Sequence, residues 1–151
     1  MPTSLKIVRM RRPLWTRPSA RSRISSSRTA TSGTVTRILV DSDVLVDHLR
    51  GHRRLTMGSD ELHVSAITRA ELFSGRATEE RRVRRLLGAM IDIPVDASIA
   101  ERAGRLRRGA PPRRLPDALI AATALEHGLT LMTRNARDFE GIRGLRLRPP
   151  G

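Results

Sequence analysis

The sequence predicts an α/β domain with a mainly parallel central sheet flanked by helices. Three observations carry this prediction. Short apolar runs recur from residue 37 onward, stretches of helical periodicity separate them, and glycine, proline or a capping acid stands at the joins. Parallel strands need long crossovers, which helices supply.

Ile38, Leu39 and Val40 make the first strand, which ends at Asp41, and Val44 to Leu49 continue as a helix that stops at Gly51. Leu62, His63 and Val64 make the second strand. A helix then runs through Ile67 to Phe73 and ends near Gly75. A third helix is predicted over Glu79 to Met90, with Val83, Leu86, Leu87 and Met90 on one face and Arg81, Arg82, Arg84 and Arg85 elsewhere. Ile91 to Val95 is a short strand, and Asp96 caps a helix through Ile99, Ala103 and Leu106. Pro111 and Pro112 interrupt the pattern. Pro116 opens a helix from Asp117 to His127, Gly128 closes it, and Leu129 to Thr133 is the next strand. A helical turn near Asn135 to Phe139 and a last strand at Leu145 to Leu147 complete the domain, and no internal repeat is present.

A length of 151 residues suits one domain, here residues 37–148, and 38% hydrophobic content suffices for a modest core. That core is aliphatic: Tyr is absent, Phe73 and Phe139 are the only Phe, and the single Trp15 lies outside the domain. The lack of Cys excludes disulfides, thiolate metal sites and a cysteine nucleophile, and fits the reducing cytoplasm. No apolar run is long enough for a membrane span or a signal peptide, so no membrane role is expected.

A net charge of +14 invites a nucleic-acid partner. Its distribution weakens that inference, because Lys6, Arg9, Arg11, Arg12, Arg17, Arg21, Arg23 and Arg28 place +8 in an acid-free stretch over residues 1–36, leaving +6 for the rest. That stretch is rich in Ser, Thr, Arg and Pro without hydrophobic periodicity; it is expected to be disordered, or to precede a true translation start near Val35, which an intact mass of the native protein decides. Within the domain, Arg69, Arg113, Arg114 and Arg134 are candidate phosphate contacts, a solvated face being the alternative for each.

In a parallel sheet, ligands gather at the carboxyl ends of the strands. Four acids fall at such junctions: Asp41 after the first strand, Glu71 in the helix after the second, Asp117 at a helix start and Asp138 after the Leu129 to Thr133 strand. Carboxylate oxygens suit a hard cation such as Mg²⁺, and a ring of acids without one repels itself. Asp41 and Asp117 are the expected metal ligands, Glu71 and Asp138 complete the pocket, and the expected chemistry is attack of metal-activated water on a phosphodiester. Asp43, Thr133, Asn135 and Ser42 are candidates for orienting those acids or their waters, whereas Asp47 reads as a solvated or ion-paired acid. Structural readings compete. Thr68 with Glu71 spells a capping box, Asn135 with Asp138 repeats that spacing, and Asp117 in a first helical turn suits the dipole. Asp41 differs, because a carboxylate closing an apolar strand is costly unless paired or metal-bound.

Four blocks, I-L-V-D-S-D-V-L-V-D-H-L-R-G, V-S-A-I-T-R-A-E-L-F-S-G, L-P-D-A-L-I-A-A-T-A-L-E-H-G-L-T-L-M-T-R-N and R-D-F-E-G-I-R-G-L, closely resemble the VapC-type toxins of the PIN-domain ribonuclease family in order and spacing, over roughly residues 37–148. The resemblance implies a PIN fold, dependence on Mg²⁺ or Mn²⁺, cleavage of structured cellular RNA, neutralisation by a VapB-like antitoxin, and a homodimer. By position the family's acids fall on Asp41, Glu71 and Asp117, and the fourth on Asn135 or Asp138. The stretch from Gly51 to Asp60 is shorter than the family leads one to expect, and the basic first 36 residues have no counterpart in it.

Three other readings compete. D-S-D after a strand imitates a haloacid-dehalogenase-like phosphatase, but the only lysine is Lys6, upstream of the motif. His48, His52, His63 and His127 could serve a metal-free ribonuclease, although His63 sits in an apolar strand and His127 at a helix end. A non-catalytic nucleic-acid-binding regulatory domain is the third; it lacks aromatic stacking platforms.

Overall fold

The computed structural model describes residues 35–151, apart from Met57 and Ala110. The expectations for the basic N-terminal stretch fall almost wholly outside the described residues. Five strands, β1 (Arg37–Val40), β2 (Glu61–Ser65), β3 (Ile91–Ile93), β4 (Thr130–Met132) and β5 (Arg146–Arg148), form one sheet in the order β3-β2-β1-β4-β5. Every pairing is parallel, with Leu39 opposite His63 on one side and Leu131 on the other. Five helices connect or flank them: α1 (Ser42–Arg50), α2 (Ala66–Phe73), α3 (Glu80–Leu87), α4 (Ala97–Leu106) and α5 (Leu115–His127).

Side-chain alternation along β1 sorts the core into two layers. Leu39 joins Ile99 and Ala103 of α4 and the alanine-rich side of α5 in one, and Ile38 and Val40 join Val44, Leu45, Val83 and Leu87 of α1 and α3 in the other. Small residues Ala118, Ala121, Ala122 and Ala124, all fully buried, let α5 lie close to its neighbours. The core is aliphatic, with Phe139 the one buried aromatic among the described residues.

Several ends follow the local chemistry of the chain. Gly51 (φ 75°) and Gly128 (φ 62°) close α1 and α5 in the left-handed conformation, where any side chain would be strained. Asp96 accepts from the Ile99 amide at 2.9 Å and caps α4. Elsewhere the structure corrects the sequence reading. The third helix is shorter than predicted: Ala77–Glu79 forms a 3-10 turn, α3 stops at Leu87, and Gly88 follows. Pro94 ends β3 at Ile93, because proline has no N–H for the next ladder bond. The final strand lies one residue later than predicted, paired as Thr130 with Arg146 and Met132 with Arg148, and its side chains are all exposed, so hydrophobicity gave no register there.

The N-terminus of α2 is the most consequential correction. Ser65, fully buried, caps it by accepting from the Thr68 amide at 3.0 Å and donating to the Thr68 hydroxyl at 3.0 Å. Thr68 is therefore not the cap, and Glu71 lies in the last turns of α2, away from the dipole end that would favour it. The capping-box explanation of Glu71 is lost.

Ser65→Ala removes both bonds and leaves the Thr68 hydroxyl buried without its partner. A loss of about 1–2 kcal/mol in urea unfolding is expected, with an unchanged denaturant slope. A loss below a few tenths of a kcal/mol would contradict the cap.

Candidate active site

β2 and β4 flank β1, and the chain leaves β1 toward β2 but returns through β4 on the opposite side. That reversal opens a crevice beyond the carboxyl ends of β1 and β4, the usual place for a ligand in such a sheet. Asp41 follows β1 directly and its amide donates to the Met132 carbonyl at 2.9 Å, while Thr133 follows β4. The two strand ends thus bring Asp41 and Thr133 into one crevice.

Asp41 is 7% exposed. Its Oδ1 accepts from the Ser42 amide at 2.7 Å at the start of α1, so the carboxylate also caps that helix. Burial, chiefly, and the neighbouring Asp43 push its pKa up from 3.8 to about 6, Thr133 and the Ser42 amide oppose the rise, and Glu71 adds to it. Ser42 therefore acts on Asp41 through its backbone.

Asp43, in the first turn of α1, has its Oδ2 held by the Arg134 amide at 3.0 Å and the Thr133 hydroxyl at 3.4 Å. This ties α1 to the segment after β4. Its Oδ1 is buried without a hydrogen-bond partner, and so is Oε2 of Glu71. Two orphaned carboxylate oxygens in one neighbourhood are costly and call for a cation or water.

Asp117 stands in the first turn of α5, where Pro116 occupies an opening position. Burial first, then Asp138 and Glu71, raise its pKa, and Arg114 opposes them. Asp138 is exposed in the 3-10 turn Ala136–Phe139, and Asn135 Nδ2 donates to its Oδ2. The Asn135 amide donates in turn to the Thr133 hydroxyl at 3.1 Å.

The four acids named from the sequence are thus linked electrostatically: Asp43 and Glu71 act on Asp41, and Glu71 and Asp138 act on Asp117. Among the described residues no three acidic, His or Cys side chains converge into a ready-made metal cage. The donor set nevertheless fits a hard divalent cation, being all oxygen with two buried oxygens unsatisfied. The histidines do not form a competing site: His63 Nε2 binds Glu61 at 2.7 Å, His48 Nδ1 accepts from the Leu55 amide at 3.0 Å, and His52 lies 3.7 Å from Asp47.

Asp47 is an ion-pair partner, bound to Arg134. Arg137 had no place among the residues singled out from the sequence, yet it lines a cleft of ≈ 310 Å³ with Arg114, Asp117 and Asp138. Its adjacency to Asp138 in the sequence was the available signal.

Residues 38–145 match the PIN domain. The chain is 42% identical over 124 residues to Ribonuclease VapC10 of Mycobacterium tuberculosis, covering 75% of this chain and 92% of that protein. Among solved structures, a toxin-antitoxin complex from Klebsiella pneumoniae shares 36% identity and a TM-score of 0.62, over 72% of this chain and 94% of the other. The DNA-bound VapBC of Salmonella typhimurium, at 24% identity, has the same fold, with a TM-score of 0.66 over 76% of this chain and 98% of the other.

The raised Asp41 pKa sets a sign for stability in the metal-free protein. Between 3.8 and about 6 the folded chain holds a proton that the unfolded chain releases, so stability falls as pH rises through that window. The loss is up to about 3 kcal/mol for this group, and Asp117 acts in the same direction. In excess chelator the urea midpoint should fall across the window in the wild type and stay flatter in Asp41→Asn. Parallel curves would contradict the burial argument.

Proposed function

The chain belongs to the PIN-domain family and to its VapC group, and on that premise we propose that it is the toxin of a type II toxin–antitoxin pair, an endoribonuclease that hydrolyses cellular RNA with Mg²⁺ or Mn²⁺. The observation that carries this reading is the pair of buried carboxylate oxygens without partners, on Asp43 and Glu71, beside the buried Asp41 at the end of the central strand. Such a group repels itself when ionised, and a divalent cation relieves that repulsion.

Asp41 and Asp117 are the proposed ligands. Glu71 lies between them electrostatically and completes the acidic wall. The fourth position goes to Asp138, with Asn135 as its positioning partner through the Nδ2 hydrogen bond. Thr133 and Asp43 hold the ends of β1 and β4 in register, the threonine hydroxyl donating to Asp43 and accepting from the Asn135 amide. When bound there, a divalent cation supplies Lewis acidity toward the phosphoryl oxygen and lowers the pKa of water. The carboxylates orient the attacking water and take up its proton, and Asp41, the one buried acid among them, anchors the set at the end of β1. The phosphatase alternative is set aside with the family assignment; the non-catalytic binding domain is what remains if cleavage fails.

We also place the protein in the cytoplasm, opposite a VapB-like antitoxin and as a homodimer. The absence of Cys from the whole chain agrees with the compartment. Among the described residues no helix is long and apolar enough to cross a membrane.

With structured RNA and Mg²⁺, the full chain should cleave, and excess chelator should stop it. Asp41→Asn and Asp117→Asn should each reduce the rate by more than roughly 100-fold, the upper end for groups that only support a ligand, with circular dichroism unchanged. Cleavage that persists in chelator, or in both folded variants, would refute the metal nuclease and return the binding-domain reading.

A further inference from the structure

Arginines are so abundant here that their number says little about which of them meets a substrate; their partners say more. Arg69 is bound by Asp92 with Nη2 to Oδ2 at 2.6 Å, and Arg134 by Asp47, so each already has an anion. Arg113 donates from Nη2 to the Glu140 carbonyl at 2.6 Å and thereby fastens the turn that carries Asp138. Three of the four arginines singled out from the sequence are thus committed to the chain itself.

Arg114 and Arg137 are not. Both are exposed, and among the described residues neither guanidinium has a hydrogen-bond or salt-bridge partner. Both line the ≈ 310 Å³ cleft that also holds Asp117 and Asp138. Asp138 is taken by Asn135, and Arg114 acts on Asp117 without forming an ion pair. Two cations stand beside two acids and remain available for an outside anion. Arg114 is preorganised: it is the residue before α5, Pro116 fixes the helix start, and Pro111 and Pro112, which line the same cleft, stiffen the approach. A guanidinium presents forked donors that match the oxygens of a phosphate, and the amides opening a 13-residue helix add positive partial charge on the same side.

We propose that Arg114 and Arg137 form a bracket that grips one backbone phosphate of the RNA strand at the Asp117–Asp138 end of the crevice. The bracket sets where the strand lies against Asp41; it touches no base and reads no sequence. These are positioning residues. The assignment rests on the nuclease reading for the identity of the strand, but binding is measurable without cleavage.

The test follows binding of a short fluorescein-labelled single-stranded RNA to the full chain by anisotropy over a range of KCl, with KM and kcat measured in parallel. For the double variant Arg114→Ala with Arg137→Ala, Kd should rise roughly ten-fold, the slope of log Kd against log salt should shrink by about 0.7, the value for one single-strand phosphate, and KM should carry the larger share of the loss in kcat/KM. The corresponding double Lys variant should recover the salt slope but only part of the affinity, because ammonium lacks the fork. Arg146→Ala, whose guanidinium is spent on the Gly128 carbonyl at 2.7 Å, should bind as the wild type does. Unchanged Kd and salt slope in the double Ala variant overturn the bracket. So does unchanged RNA binding with loss of an acidic partner protein, which would assign the same arginines to that partner. RNA binding that weakens as stated in a chain that never cleaves supports the bracket and sinks the nuclease. Asp41-dependent cleavage with unaltered binding sinks the bracket alone.

Discussion

Asp41 carries a carboxylate to the end of the central strand, where β1 is covered on both faces and flanked by β2 and β4. Burial first, and then its like-charged neighbours Asp43 and Glu71, hold it well above the usual carboxylate range. The rest of the crevice answers to this repulsion. α1 starts at Asp41 and donates its first amide to it, the Thr133 hydroxyl and Arg134 amide occupy one oxygen of Asp43, and Asn135 occupies one oxygen of Asp138. Hydrogen bonds thus satisfy one side of several acids, leaving Asp43 Oδ1 and Glu71 Oε2 as the unmet demand. A fold that keeps such oxygens away from solvent gains by binding a cation, and oxygen ligands choose a hard one.

Much of the architecture was legible because its signals are local. Gly51 and Gly128 mark helix ends that need positive φ, Asp96 marks a helix start, and the apolar runs of β1, β2 and β4 are buried enough to stand out. The acids Asp41 and Asp117 were legible for the same reason, since each closes or opens an element. Less legible was whatever depended on two local explanations that fit equally well. Ser65 and Thr68 are both capping residue types at the start of this segment; only the folded backbone selects Ser65 as the cap and places Thr68 inside α2, with the Ser65 hydroxyl buried against it. β5 offered no hydrophobic alternation, because its three residues are all exposed at the sheet edge.

Electrostatic partnership was the least legible property. Arg69 meets Asp92 and Arg134 meets Asp47 only because separate helices and strands converge. Formal net charge therefore overstates the positive surface available near the crevice. Much of the +14 lies in the first 36 residues, and several arginines of the domain are neutralised by acids of the same chain. What distinguishes Arg114 and Arg137 is their lack of such acids among the described residues, beside a cleft that holds Asp117 and Asp138.

The proposal that these acids share one divalent ion is tested most directly by measuring that ion. Mn²⁺ titrated into the full chain near neutral pH and followed by electron paramagnetic resonance should show saturable binding. That binding should disappear in both Asp41→Asn and Asp117→Asn while each variant keeps the wild-type circular dichroism. Saturable Mn²⁺ binding that survives unaltered in both variants would mean that these carboxylates hold no common cation.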